Sequence, residues 1–448
     1  KGGARSELHQ DHINHLMIEA AQAGRAVVRL KGGDPFIFGR GGEETEALAA
    51  ANIPFEIVPG VSAAMGVPAY AGIPLTHRNM ASSIAIITGH EDPTKEGNQT
   101  HWDHLATACD TLVFLMGMGN LAEIMTQLMA HGRRPETPVA LIQWGTYPYQ
   151  KTVIGTVATI FAKAQQEKIR PPVTMVVGEV ITLRNEMNWF ESRPLFGRRI
   201  LVTRAREKAA EFADQLASYG ADVVLFPTIK IIPPSDYADL DVAIRQIERY
   251  NTLLFTSVNG VESFFHRLTF LGYDVRILKG ISICAIGPKT RDAITRIGLL
   301  CDFIPSEFTA EGILEELDRR GIAGKKVLLP RAMQAREVLP ETIIKKGGQI
   351  DVVAAYQAIP PEESEIKKTW CKGPIDMVTF ASASTVRNFM KKVNTEVQEI
   401  LSKSAVACIG PITAKAAQEC GLRVDVVPQE YTFQALTESI VHYYRKKN

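Results

Sequence analysis

The feature that most constrains this chain is an internal repeat in its second half. Gly197-Arg-Arg-Ile-Leu-Val-Thr-Arg204 returns as Gly324-Lys-Lys-Val-Leu-Leu-Pro-Arg331, 127 positions later. Phe255-Thr-Ser-Val-Asn-Gly-Val261 returns as Phe380-Ala-Ser-Ala-Ser-Thr-Val386 at an offset of 125. Ile286-Gly-Pro-Lys-Thr290 pairs with Ile409-Gly-Pro-Ile-Thr413, and Pro305-Ser-Glu-Phe-Thr309 with Pro428-Gln-Glu-Tyr-Thr432, both at 123. Four blocks in one order imply two similar lobes. Copies this long are duplicated domains rather than stacked short repeats.

The 448 residues exceed what one core supports, so two to four domains are expected. Apolar residues at 46% and charged residues at 22% are ordinary globular values. A net charge of +1 gives no basic excess for a polyanion, so no nucleic-acid partner is expected. The basic run 443–447 reads as a solvated tail. No apolar stretch is long enough for a membrane span, and the polar opening at 1–10 is unlike a signal peptide. A cytoplasmic protein with no membrane partner is expected. Cysteines 109, 284, 301, 371, 408 and 420 form no C-x-x-C pair, which predicts small buried side chains in a reducing compartment and no metal.

Short apolar runs at 27–30, 55–58, 83–88, 111–116, 173–177 and 200–203 predict strands, most of them ending at Gly or Pro. Helical stretches alternate with them, which predicts an α/β fold with largely parallel sheets. A break at 189–197, flanked by Pro194 and Gly197, predicts a domain boundary.

Three glycine-bearing turns in the first half are candidates for a ligand site: Lys31-Gly-Gly-Asp-Pro35, Val58-Pro-Gly-Val-Ser-Ala-Ala64 and Phe114-Leu-Met-Gly-Met-Gly119. Glycine lets the backbone approach a ligand, and Asp34 can accept hydrogen bonds from a ribose or an amine. Each turn alone also fits a plain β–α turn. The G-x-G-x-x-G fingerprint is absent between 27 and 44, which weighs against a dinucleotide. Taken together, the block 30–44, the Val58–Ala64 turn, Ala71-Gly-Ile-Pro-Leu-Thr-His-Arg78, Leu112-Val-Phe-Leu-Met-Gly117, Gly145-Thr146 and Val176-Val-Gly-Glu-Val180 resemble the uroporphyrinogen-III C-methyltransferases.

That resemblance implies a two-lobed tetrapyrrole-methylase-like α/β domain over 1–190, with lobes 1–78 and 79–190. It implies S-adenosyl-L-methionine in the cleft and methylation of uroporphyrinogen III at C2 and C7 to precorrin-2. The implied cofactor contacts are Gly32, Gly33, Asp34, Ile37, Ser62, Ala63, Met116 and Gly145. A homodimer through this half is also implied. Family members carry a strand and a Gly-Pro-Gly-Asp loop ahead of the position of Lys1, which falls where the family has a proton-donating Lys. Ala4 and Ser6 replace a Gly and a His of that pattern. The expectation is an open first lobe and impaired methyl transfer. His9, His12 and His15, at helical spacing, are expected on a solvated helix face. A methylase acting on a later corrinoid is the alternative for this half.

The duplicated half resembles uroporphyrinogen-III synthase, on Leu201-Val-Thr-Arg204, Phe255-Thr-Ser257, Ile286-Gly-Pro288, Ala355-Tyr-Gln357 and Ile409-Gly-Pro-Ile-Thr-Ala414. The resemblance implies two flavodoxin-like α/β lobes joined by two crossing strands: 198–232 with 361–448, and 236–358, after a linker at 191–197. It implies closure of hydroxymethylbilane to uroporphyrinogen III with the last ring inverted. Thr256, Ser257, Thr290, Ser382, Ser384 and Thr413 follow predicted strands, where open α/β sheets bind ligands, although Ser and Thr there also cap helices. Tyr356 matches the family's Tyr, and a phenol protonated at neutral pH can assist departure of water. A two-lobed sensor is the alternative of a different class.

Overall fold

The computed structural model describes residues 10–89, 100–203, 206–226, 230–307, 310–333, 338–359, 373–391 and 403–447. The first strand among them is Ile84–Thr88. The runs at 27–30 and 55–58, expected as strands, form no ladder. Val28, Leu30 and Val58 are 80% exposed or more. Their composition favours a strand, but a strand needs ladder partners with a buried face. Neither run has such a partner among the described residues.

Five strands build the first sheet: β1 (Ile84–Thr88), β2 (Thr111–Leu115), β3 (Pro138–Gln143), β4 (Lys151–Thr156) and β5 (Val173–Val177), in the order β1-β2-β5-β3-β4. Only β1 and β2 run parallel; the other three pairings are antiparallel, against the expectation of parallel sheets. The cause lies in the β3–β4 connection at 144–150, which is too short for a parallel crossover. Successive side chains bury on opposite faces. Leu112, Phe114, Leu141 and Met175 pack toward the helix Leu121–Ala130. Ala140, Ile142 and Val176 pack with Val67 of the helix Ala63–Tyr70.

The second half is α/β with parallel sheets. Its strands are β6 (Arg199–Val202), β7 (Asp222–Leu225), β8 (Lys230–Ile232), β9 (Thr252–Phe255), β10 (Ser282–Ala285), β11 (Lys326–Ala332), β12 (Gln349–Ile359), β13 (Met377–Phe380) and β14 (Ala405–Cys408). They form the sheets β14-β13-β6-β7 and β10-β9-β11-β12-β8. The repeat blocks place β6 on β11, β9 on β13 and β10 on β14, so both copies read in the same strand order. Details repeat as well. The Asp302 carboxylate accepts from Ile283 N at 2.6 Å, and the Asp425 carboxylate accepts from Val406 N at 3.0 Å. Chain passes between the copies along β8 and the end of β12, which pair antiparallel.

The boundary segment is packed rather than loose. Leu195 is fully buried, its N–H donates to Tyr219 O at 2.9 Å, and Gly197 N–H donates to Pro148 O at 3.0 Å. Burial of the cysteines is also less uniform than expected. Cys284 and Cys408 are buried, and burial pushes the Cys408 thiol up to about 12. Cys109, Cys301 and Cys420 are half-buried, because they lie beyond strand or helix ends rather than inside them; Cys371 lies outside the described residues. No described helix is long and apolar enough to cross a membrane.

The core of the lobe built on the sheet β10-β9-β11-β12-β8 includes Phe264, which meets Phe255 at 5.6 Å and Phe265 at 5.2 Å between ring centroids. Phe264→Ala should destabilise that lobe by about 3–5 kcal/mol, read as an earlier urea transition; an unmoved midpoint contradicts this packing.

Candidate functional site

In the first half, three strand ends and two turns converge. Leu115 faces Thr174 across the β2–β5 pairing, and Gln143 faces Val173 across β3–β5. Met116, one residue beyond β2, and Gly145, two residues beyond β3, therefore sit at the same end of the sheet, with β5 between their strands. That rim holds non-glycine residues at positive φ: Met116 at 59°, Trp144 at 50° and Thr146 at 73°. Such conformations persist only where the surroundings enforce them, and they cluster at ligand sites. Gly145 touches the helix Ala63–Tyr70 so closely that a Cβ would lie 2.3 Å from Val67.

Ser62 caps that helix, its Oγ accepting from Ala64 N at 3.2 Å; Ser62 is buried and Ala63 is exposed. A Cβ on Gly33 (φ 87°) would lie 3.6 Å from Val61 O and 3.8 Å from Ser62 Cα. Gly32 is open, and Ile37 is half-buried. Asp34, expected to face a ligand, accepts from Phe36 N at 2.8 Å and Gly60 N at 3.1 Å and so binds the two turns together. The Gly60 amide, then that of Phe36, holds its carboxyl below the usual carboxylate range. Lys1 and His9 lie outside the described residues; His12 and His15 are exposed on the helix Gln10–Gln22.

Glu44 was not legible as part of this site. It is buried, and its carboxylate accepts from Gln10 at 3.0 Å, from Arg29 at 3.1 Å and from Lys31. Burial pushes its carboxyl up, but the bonds from Lys31, Gln10 and Arg29 outweigh that and hold it below the ordinary glutamate range. The available signal was Arg29 inside an apolar run, since a cation there needs a carboxylate. The half-exposed cluster of Trp144, Tyr147 and Tyr149, with ring centroids 5.2–6.1 Å apart, was missed as well.

In the second half, the candidates gather at the C-terminal edges of the two parallel sheets. Thr256 and Ser257 follow β9, and Ser257 caps the helix Val258–Phe270. Tyr356 lies on β12 opposite Ala332, at an irregularity in the β11–β12 pairing. Its backbone O accepts from Met333 N at 2.9 Å, and its phenol oxygen lies 3.1 Å from Ser257 Oγ. Thr290 is only 4% exposed, one turn into the helix Pro288–Arg296, and Thr413 is 5% exposed in the helix Pro411–Glu419. Ser382 caps the helix Ala383–Met390, with Ser384 Oγ at 3.0 Å. The structure thus joins Ser257 to Tyr356 directly, groups Ser382 and Ser384 at the other sheet, and turns Thr290 and Thr413 away from solvent.

Comparison with known proteins places residues 210–438 on the family model described as uroporphyrinogen-III synthase HemD. Residues 2–160 match the model of the tetrapyrrole (corrin/porphyrin) methylases. The porphyrin biosynthesis protein HemD of Ruminiclostridium josui is 36% identical over 446 residues, covering 98% of this chain and 87% of that protein. The S-adenosyl-L-methionine-dependent uroporphyrinogen III methyltransferase of Methanosarcina barkeri is 49% identical over 39% of this chain and 69% of that protein. The uroporphyrinogen-III C-methyltransferase of Bacillus subtilis is 38% identical over 66% of this chain, which spans 60% of that relative's length.

Because the folded state holds Glu44 below its ordinary value, its support is whole above about pH 4.3. It is lost as pH falls through the lowered folded value. Protection factors of amides in the helix Gly41–Ala50, taken against the unfolded chain at the same pH, should therefore fall on acidification, and Glu44→Gln should show low protection already at neutral pH. A variant as protected as the parent chain contradicts the assignment.

Proposed function

Since the chain belongs to the uroporphyrinogen-III synthase family over its second half and to the tetrapyrrole methylases over its first, we propose that it closes hydroxymethylbilane to uroporphyrinogen III and methylates that product at C2 and C7 to precorrin-2. The proposed methylase unit is 1–190. The synthase lobes are 198–232 with 361–448, and 236–358. A homodimer through the first half and action in the cytoplasm belong to the same reading, on the resemblance.

The first-half site fits a nucleoside-bearing cofactor. A Cβ on Gly60 would lie 2.5 Å from Gly33 O, so the two turns are already as close as backbone allows. S-adenosyl-L-methionine, when bound, supplies an electrophilic methyl group on sulfur. Gly32, Gly33, Ser62 and Ala63 would hold its polar parts through main-chain groups, and Asp34 keeps their two turns in register. Ile37, Met116 and Gly145 would flank the adenosyl end. Positioning against a pyrrole carbon supplies most of the catalysis in such a displacement.

The synthase must bend a flexible octacarboxylate. Gly287 and Gly410 stand at helix N-caps without a side-chain cap, and since Pro288 and Pro411 carry no N–H, the main-chain N–H groups of Lys289 and Ile412 are the ones that would meet carboxylates. Ser257 and Ser382 close the neighbouring helices. Tyr356 then donates its phenol proton to the departing hydroxyl, water leaves, and the resulting azafulvene is attacked at the substituted carbon of the last ring. The observation that carries this reading is the phenol of Tyr356 held 3.1 Å from Ser257 at the sheet edge.

The test is a coupled assay with hydroxymethylbilane and methyl-labelled cofactor. Label should appear in a dimethylated tetrapyrrole only when hydroxymethylbilane is supplied. Tyr356→Phe should slow formation of the III isomer by about 10²-fold in kcat with KM little changed. A variant that closes the ring at the parent rate removes the phenol from the mechanism.

A further inference from the structure

Ser257 makes two hydrogen bonds, and its helix cap accounts for only one. Its Oγ accepts from Gly260 N at 3.0 Å, which closes the first turn of Val258–Phe270. The same oxygen lies 3.1 Å from the Tyr356 phenol. A hydroxyl has one proton and two lone pairs. With one lone pair given to Gly260, the Ser257 proton remains free to go to the phenol oxygen.

The duplication supplies an internal comparison. Ser382, which stands 125 positions on, caps its own helix in the same way, accepting from Thr385 N at 3.2 Å. Its further neighbours are Ser384 Oγ at 3.0 Å and Thr385 Oγ1 at 2.8 Å, both on its own helix. Capping is therefore what the two copies share. The bond to a phenol on the crossing strand distinguishes one of them.

We propose that Ser257 is a positioning residue for Tyr356, an inference that rests on the synthase reading. Ser257 donates its proton to the phenol oxygen, which turns the phenol's own proton toward the cleft. In the dehydration step the hydroxymethyl C–O bond breaks with its electron pair going to oxygen, and that oxygen takes the Tyr356 proton and leaves as water. The pyrrole nitrogen lone pair fills the carbon, giving the azafulvenium cation, and the phenolate is held by Ser257 O–H. The proton released when the last pyrrole carbon regains aromaticity returns to the phenolate, so protons balance over the turnover.

Substitutions in the full chain separate the two roles of this side chain. Threonine keeps both the cap and the donor. Aspartate keeps the cap but as a carboxylate can only accept, so it draws the phenol proton to itself. Ser257→Thr should retain kcat to within about threefold, and Ser257→Asp should lose about 10²-fold at an unchanged melting temperature. Ser257→Ala should lower kcat by about tenfold with KM little changed, because the phenol proton is no longer turned toward the departing hydroxyl. If Ser257→Asp closes hydroxymethylbilane as fast as the parent, or Ser257→Ala lowers the melting temperature with kcat unchanged, Ser257 is a cap alone and the proposal falls. A parent chain that yields only the I isomer overturns the synthase reading and this inference together; a III-forming parent with a fully active Ser257→Asp overturns this inference by itself.

Discussion

The pairing of β13 with β6 is the constraint on which the second half depends. It sets Met377 against Ile200 and Thr379 against Val202. The side chains lock it further: Thr203 Oγ1 donates to Thr379 O at 2.7 Å, Thr379 Oγ1 donates to Leu201 O at 3.0 Å, and Asp376 accepts Arg199 N at 2.7 Å across 177 positions. Once those segments are joined, the chain between them must leave one sheet and return to it. That forces β8 and β12 to cross side by side. β12 pairs parallel with β11 as far as Tyr356, and antiparallel with β8 from Gln357 onward. Tyr356 therefore stands where one pairing gives way to the other, next to the cap of the Val258–Phe270 helix. The geometry of the candidate acid follows from the closure of a sheet made of distant segments.

The duplication explains both the economy of this arrangement and its asymmetry. Both copies start a central strand from a side-chain clamp: Asn251 Oδ1 accepts Lys326 N at 2.8 Å, as Asp376 accepts Arg199 N. Both place a Ser cap and a Gly-Pro cap at the C-terminal edge of the sheet. Only the copy that sends out β12 past its own Ser cap gains the phenol. Two similar folds thus carry unlike side chains at the same sheet edge, which suits a substrate whose rings must be treated differently.

Much of this was legible in the residues. The repeat blocks mark β6, β9, β10, β11, β13 and β14, and the Gly-Pro pairs mark helix starts, because those signals are local. What was not legible depended on partners. The runs at 27–30 and 55–58 have strand composition but no ladder, and composition is silent about partners. The loop 144–150 set the antiparallel character of the first sheet through its length, since it leaves no room for a crossover helix. Thr290 and Thr413 look like ligand hydroxyls in the sequence, yet one turn into a helix that packs on the sheet their side chains face inward. Glu44 is far in sequence from Arg29 and Lys31, so only the fold reveals that it neutralises them.

The central claim is that the duplicated lobes fold a linear four-pyrrole chain so that its last ring closes inverted. The isomer ratio formed from hydroxymethylbilane by the full chain, without methyl donor, tests it most directly. The account predicts predominantly uroporphyrinogen III, at a rate well above spontaneous closure. A product identical to the uncatalysed blank, all of it the I isomer, contradicts it.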